Sequence, residues 1–354
     1  MKALVLAGGT GTRLRPFSYS IPKQLIPVAG RPVLAHVLDN VRALGVTEVG
    51  VIVGDGARQI RAEIGDGSRF GVAVTYIPQD RPLGLAHCVA IARPFLGGDD
   101  FVMYLGDNML PEGVAEPAAA FAAARPAAHV VVHKVADPRA FGVAELRPDG
   151  TLARVVEKPD PPTGDLALIG VYFFTAAIHR AVAAIAPSAR GELEITDAIQ
   201  WLLDRGERVT AAEHTGYWRD VGRIEDVLDC NRRLLADLTA GVDGQLDDGA
   251  RIRGPVLIEA GARVARSRVQ GPALIGAGTV VADSEVGPGT TIGRDCTLRH
   301  TRVRDSVVMD GVSLTALGDV RDSLIGRGAV IGMPSGDGAY RLVVGEATRI
   351  GPAA

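Results

Sequence analysis

Leu6-Ala7-Gly8-Gly9-Thr10-Gly11-Thr12-Arg13-Leu14-Arg15-Pro16 follows directly on an apolar run that begins at Lys2. Three glycines in four positions after a buried strand let backbone N–H groups turn toward a ligand with no Cβ in the way, and the usual ligand of such a turn is phosphate. The spacing is neither GxGxxG nor GxxxxGK[ST], so the dinucleotide-binding and ordinary ATPase readings lose support. Instead Arg13 follows the glycines, and Lys23 comes ten residues later in Pro22-Lys23-Gln24-Leu25-Ile26-Pro27. Two cations beside a glycine loop suit a polyphosphate.

Outward from this loop, two periods alternate over the first 240 or so residues. Apolar runs at Lys2–Ala7, Glu48–Val53, Ala73–Ile77, Phe101–Leu105, His129–Val135 and Ala167–Phe174 read as strands buried on both faces of a parallel sheet. Helices are predicted at Pro32–Leu44, Leu85–Phe95, Thr196–Arg205 and Glu225–Leu238, the first with an apolar stripe of Val33, Val37, Val41 and Leu44. Alternation of this kind predicts a doubly wound, Rossmann-like α/β fold, with a mixed sheet as the expected fold class.

Near residue 240 the texture changes. Glycine rises to 20 of the last 114 residues against 24 of the first 240. Ile258, Ile275, Ile292, Val308 and Ile325 lead a repeat with steps of 17, 17, 16 and 17 residues. Between them further aliphatics fall five or six apart, as at Val264 and Val269 or Val281 and Val286. An inward aliphatic at that spacing suits a triangular coil of short parallel strands, whose turns bury their apolar sides only by stacking. The expected division is therefore 1–240 and 241–354.

Composition excludes several classes. The chain has 354 residues, 47% hydrophobic and 22% charged, which argues against wholesale disorder. A net charge of −3 without a long basic run argues against a general nucleic-acid binder. Cys88, Cys230 and Cys296 offer no CxxC spacing, hence no disulfide framework or thiolate zinc site. No apolar run approaches a membrane span, and the start of the chain runs straight into a strand pattern, so a reduced cytoplasm is expected. Only Lys2, Lys23, Lys134 and Lys158 are lysine among 38 basic residues, so a retained lysine asks whether a compact, flexible ammonium is needed there.

The glycine loop with Pro22-Lys23-Gln24-Leu25-x-Pro27 resembles the signature of the sugar-1-phosphate nucleotidylyltransferases. Nearly the whole chain is most similar to the long-form glucose-1-phosphate thymidylyltransferases, whose C-terminal coil is a left-handed parallel β-helix. The resemblance implies that Leu6, Gly8, Gly9, Gly11, Thr12 and Arg13 bind the nucleotide. It also places Gln79 and the backbone of Gly84, in Gln79-Asp-Arg-Pro-Leu-Gly84, on the base; an amide suits the N3–H and carbonyl of a thymine or uracil edge. Asp107, in Leu105-Gly106-Asp107-Asn108, and Asp220, in Trp218-Arg219-Asp220-Val221-Gly222, correspond to carboxylates that hold Mg²⁺. Gly142 and Glu157 match residues that contact the hexose, and Lys158 matches the lysine on the sugar phosphate. Two of the four lysines thus fall where the family places catalytic ammonium groups.

The implied reaction joins dTTP and glucose 1-phosphate to form dTDP-glucose and pyrophosphate, with Arg13, Lys23, Asp107 and Lys158 as catalytic residues and a homo-oligomeric, cytoplasmic enzyme as the setting. UTP, another sugar or a cyclitol phosphate stays open as an alternative. A non-catalytic subunit is disfavoured because the loop arginine and both carboxylates are present, and an acyltransferase coil because it offers only the lone His300. Arg190-Gly-Glu192-Leu-Glu194-Ile-Thr196-Asp197 reads as mainly structural, with Thr196 able to cap the next helix. Trp201 and Trp218 read as core, His300 as a solvated corner.

Overall fold

The structure, a computed structural model, describes residues 1–147, 151–332 and 338–351. These form two compact units: Met1–Thr10 with Val33–Asp220, and Gly11–Pro32 with Val221–Ala354. The division by contact thus differs from the division by sequence texture, because Gly11–Pro32 and the helix Ile224–Ala236 group with the coil.

The first unit is built on a nine-stranded mixed sheet. Lys2–Ala7 lies between Glu48–Val53 and Phe101–Leu105, parallel to both, with Ala73–Pro78 outermost beside Glu48–Val53. The chain first builds outward from Lys2–Ala7 on one side, then returns to lay Phe101–Leu105 on the other. That reversal is a topological switch point, where the loops after two neighbouring parallel strands leave a crevice for ligands. Leu6 and Leu105 are the paired ends of these strands, and Gly106 N–H donates to Leu6 O at 2.8 Å.

The other half carries the antiparallel pairings that make the sheet mixed, as the expected fold class has it, although Val209–Glu213 runs parallel to Ala128–Lys134. Leu166–Phe174 runs antiparallel to Phe101–Leu105, to Ala128–Lys134 and to Gly142–Leu146, which pairs in a hairpin with Leu152–Glu157. A strand buried on both faces is apolar throughout in either orientation, so composition alone did not distinguish them. The predicted helix Leu85–Phe95 is two helices, Leu85–Ile91 and Arg93–Leu96. Pro94 has no N–H to donate and crowds the carbonyl four residues back, so the helix restarts with the proline in its first turn.

In the second unit, the repeat forms three parallel sheets of seven, seven and six strands. Ile258, Ile275, Ile292, Val308, Ile325 and Val344 stack in register along one of them. All six are buried, as are Val264, Val269, Val281, Val286, Leu298, Val303, Leu314 and Val320. This is a β-helix. Its corners carry columns of left-handed backbone, such as Gly249, Arg266, Asp283, His300 and Ala316, with φ from 45° to 87°. Inside, Ser267, Ser284 and Thr301 each donate to a backbone carbonyl two residues earlier, and the hydroxyl of each accepts from the N–H one turn on. Hydroxyls repeated at the coil period thus satisfy the corner backbone without water.

Candidate active site

In the first unit, Gly8 at the end of the central strand sits close against the Gln79 side chain. A Cβ there would come 3.0 Å from Gln79 Oε1 and 3.7 Å from the Gly54 backbone N. Gln79 follows the outermost parallel strand, its N–H donating to Val53 O at 2.8 Å. Its Nε2 lies 3.1 Å from His87 Nδ1 and 3.2 Å from Cys88 Sγ. Gly84 opens the helix Leu85–Ile91 with φ 101°, and a Cβ there would be 2.4 Å from Leu193 O. The structure therefore brings Gly8 and Gln79 together at the strand ends, with Gly84 at the start of the helix that carries His87 and Cys88.

Asp107 lies on the turn after Phe101–Leu105, at the switch point. Asp220 is opposite its neighbour: Arg219–Asp220 pairs antiparallel with Asn108–Met109, Asp220 against Asn108. A hydrogen-bond chain orients the first carboxylate. Trp218 Nε1–H donates to Asn108 Oδ1 at 2.7 Å, and Asn108 Nδ2 donates to Asp107 Oδ1 at 2.9 Å. Trp218 is packed between Phe141 and His133, at centroid distances of 5.3 and 5.6 Å. Gly170, at φ 74° in a bulged stretch of its strand, leaves room for Asn108, whose Cγ would be 3.0 Å from a Cβ. Trp218 is thus neither simple core nor a stacking platform, and Asn108 and Gly170 are residues that sequence reasoning missed. An isolated glycine inside a strand pattern was the available signal for the latter.

Asp107, next in sequence to Asn108, and Asp220, opposite Asn108 on the ladder, each offer hard carboxylate oxygens. They fit Mg²⁺, which is usually held by one or two carboxylates and completes its octahedron with water and phosphate oxygens. Among the described residues no group of three or more His, Cys, Asp or Glu forms an all-protein cage.

Gly142, Glu157 and Lys158 meet at the end of the antiparallel hairpin, where Glu157 pairs with Gly142. A Cβ on Gly142 would lie 2.6 Å from Thr196 Cγ2 and 3.4 Å from Glu157 Oε2. Glu157 accepts from Thr196 Oγ1 at 3.1 Å and from Arg190 Nη1 at 3.4 Å, and its carboxylate lies 3.5 Å from Lys158 Nζ. Thr196 is therefore not the helix cap: Glu194 holds that position, and the Thr196 hydroxyl is spent on Glu157. Arg190 also bridges Glu192 and the buried Glu194. Burial pushes the Glu194 carboxyl above its ordinary range, and burial with the nearby Glu157 charge does the same to Asp197. This gathering of acids around one arginine holds Glu157 in place. The two lysines with no predicted site role are tied elsewhere, Lys2 to Asp99 at 3.0 Å and Lys134 to Asp165 at 3.3 Å.

Leu6 and Gly9 also belong to the first unit, whereas Gly11, Thr12, Arg13 and Lys23 lie in the second. Gly11 has φ 62° and begins a short turn, Thr12–Leu14. A Cβ on Gly11 would be 3.1 Å from Lys23 Cβ, so the glycine lets the lysine stem pass close to the loop. A Cβ on Gly222 would be 2.9 Å from an Arg13 guanidinium nitrogen, so Gly222 makes space for Arg13 in the same way. Fully buried Asn231 was not foreseen. Its Oδ1 accepts from Ala29 N–H at 2.9 Å and Thr291 Oγ1 at 2.7 Å, and its Nδ2 donates to Gly289 O at 2.9 Å. His300 is an exposed corner residue at φ 51°, as expected. No described helix is long and apolar enough to cross a membrane.

Comparison with known proteins shows the family to which the chain belongs. A family model for nucleotidyl transferases matches residues 2–237. The chain is 52% identical to a glucose-1-phosphate thymidylyltransferase of Streptomyces griseus, over 99% of both chains. It is 47% identical to one of Streptomyces antibioticus, again over 99% of both. Among solved structures, one described as a glucose-1-phosphate thymidylyltransferase from Bacillus anthracis, with sucrose, superposes with a TM-score of 0.63 at 33% identity. It covers 68% of this chain and 97% of that one.

Proposed function

The chain belongs to the nucleotidyl transferase family, and from that premise we infer that it is a glucose-1-phosphate thymidylyltransferase, forming dTDP-glucose and pyrophosphate from dTTP and glucose 1-phosphate. The observation that carries this reading is the 52% identity to the Streptomyces griseus enzyme along 99% of both chains. A match of that extent includes the coil, which a shared fold alone does not require.

In the proposed mechanism a phosphate oxygen of glucose 1-phosphate attacks the α-phosphorus of dTTP in line, and the bond to the bridging oxygen of the departing pyrophosphate breaks. No covalent nucleophile on the protein is needed; positioning and charge neutralisation carry the acceleration. Leu6, Gly8, Gly9, Gly11 and Thr12 offer backbone to the nucleotide, and Gln79 and Gly84 take the base. Arg13 offsets charge growing on the pyrophosphate. Lys23 and Lys158 draw two anionic reactants together, and Gly142 and Glu157 hold the hexose. Asp107 and Asp220 would hold Mg²⁺, which when bound neutralises phosphate charge. Glu157 is already fixed by Thr196 and Arg190, so little side-chain entropy is lost when a hydroxyl replaces its contact with Lys158. A cytoplasmic homo-oligomer completes the proposal.

The test is an initial-rate matrix of dTTP, UTP, dCTP and ATP against several sugar and cyclitol 1-phosphates, read by released pyrophosphate. The highest kcat/KM is expected for dTTP with glucose 1-phosphate. A different best pair replaces the substrate assignment, and no pyrophosphate from any pair removes it.

A further inference from the structure

We propose that His87 and Cys88 lock the Gln79 side-chain amide in one orientation, so that it offers only its carbonyl to the base and thereby selects a pyrimidine with an N3–H over cytosine. The proposal rests on the reading of Gln79 as the base-binding residue and adds what sets its polarity.

An amide flipped by 180° exchanges a donor for an acceptor, and a lone glutamine can therefore read either kind of base edge. Here the flip is blocked by two neighbours on the helix Leu85–Ile91. Gln79 Nε2 has two N–H groups and two partners, His87 Nδ1 at 3.1 Å and Cys88 Sγ at 3.2 Å. The sulfur identifies the orientation. Cys88 has one S–H, which points to Gly84 O at 3.6 Å, so toward Gln79 the sulfur can act only as acceptor. Burial pushes the Cys88 thiol up to about 12, so it keeps that proton. With the nitrogen of the amide facing Cys88, His87 Nδ1 must accept, which puts the imidazole proton on Nε2.

The carbonyl half is what remains. Oε1 faces Gly8, where even a Cβ would come within 3.0 Å. Thymine and uracil present N3–H to such an acceptor. Cytosine presents a lone pair at N3, which a carbonyl repels, and the amide rotation that would relieve the repulsion costs the bonds to His87 and Cys88. A site built to bond one edge discriminates mainly by the unpaired or opposed polar group left with the wrong one. His87 and Cys88 are thus positioning residues acting through Gln79.

The experiment measures kcat and KM for dTTP and dCTP, with glucose 1-phosphate saturating, in the wild type, in His87→Leu/Cys88→Ala and in His87→Asn/Cys88→Ser. The first variant removes both acceptors; the second restores an acceptor at each position. The expected result is at least a tenfold fall in the dTTP-to-dCTP ratio of kcat/KM for the first, carried by KM, and recovery of most of it in the second. A thermal melt of each variant separates loss of fold from loss of selection. An unchanged ratio in a folded, active first variant overturns the lock while leaving the enzyme assignment standing. A wild type that prefers dCTP or a purine triphosphate overturns it as well, and a wild type with no activity on any pair overturns the assignment beneath it.

Discussion

The two units differ in how far they repeat the surroundings of their glycines and buried polar groups. In the coil the same environment recurs every turn. Left-handed corners are held by Gly249, Arg266, Asp283, His300 and Ala316 in one column, so no single residue type is required. Buried hydroxyls recur as Ser267, Ser284 and Thr301, each doing the same work one turn later. In the mixed-sheet unit each case is singular. Gly84 answers Leu193, Gly142 answers Thr196, and Gly170 answers Leu105 and Asn108. Repetition gives redundancy, and a site gives positions at which one substitution has nowhere to relax.

The largest effects should therefore fall on the singular charged residues. Asp107→Asn keeps the shape but removes a charge from the carboxylate that Asn108 orients. Turnover should fall at least ~100-fold, the size of an oxyanion-type loss, and Arg13→Ala should match it. Pyrophosphate release at saturating substrates is the readout; a kcat within threefold of wild type would remove either residue from the mechanism.

Next comes a singular residue placed against the repetitive coil. Asn231→Leu leaves Ala29 N–H, the Thr291 hydroxyl and Gly289 O without their partner in a fully buried place. Unmet buried groups of this kind should cost about 3 kcal/mol together. Ser284→Ala, which breaks one rung among several, should cost about 1 kcal/mol. Chemical denaturation of the two variants tests the contrast, and equal losses would mean that the hydroxyl rungs are no more redundant than Asn231.

The repetitive region was also the more legible in the sequence. A 17-residue step of aliphatics has one physical solution, and all five leading residues are buried in register. The glycine loop and the positions of Asp107 and Glu157 could be read because turn glycines and carboxylates at strand ends leave local signals. What could not be read were contacts between distant segments. Nothing near Asn108 in sequence announces Trp218, 110 residues away, and nothing near Ala29 announces Asn231. Thr196 looked like a cap because its local spacing allows it; its hydroxyl is claimed by Glu157, 39 residues earlier. Local signals name residue types, and the fold decides their partners.

A pH titration sharpens the comparison further. Burial holds His129 down to about 4, with Nδ1 at 2.7 Å from Thr210 Oγ1 and Nε2 buried without a partner. No described side chain of the coil, residues 241–351, has a buried polar atom in that state. An ordinary histidine titrates near 6.5, so between about pH 6.5 and 4 the unfolded chain binds more protons at this position than the folded one. The contribution is intact above pH 6.5 and is lost as pH falls toward 4, at no more than about 1.4 kcal/mol per pH unit. The denaturation midpoint of the wild type should fall relative to that of His129→Phe as the pH drops through this window. A gap that stays constant would show that the protonation of His129 does not differ between the two states.

The smallest effect is predicted at a coil corner. Gly311 has φ 69°, in the column that includes Asp295 and Ala347, both at φ 53°. A Cβ at Gly311 would come no nearer than 3.9 Å to its closest neighbour, Gly328 Cα. Asparagine tolerates the left-handed region because its short polar side chain can bond locally, and it narrows the unfolded ensemble relative to glycine. The remaining cost of a Cβ at positive φ opposes the gain from the narrower unfolded ensemble, so Gly311→Asn should shift stability by no more than about 0.5 kcal/mol and leave turnover untouched. A loss as large as that of Asn231→Leu would mean that this corner, despite five repeats of its surroundings, is as singular as Gly142, and the coil would have to be read residue by residue like the site.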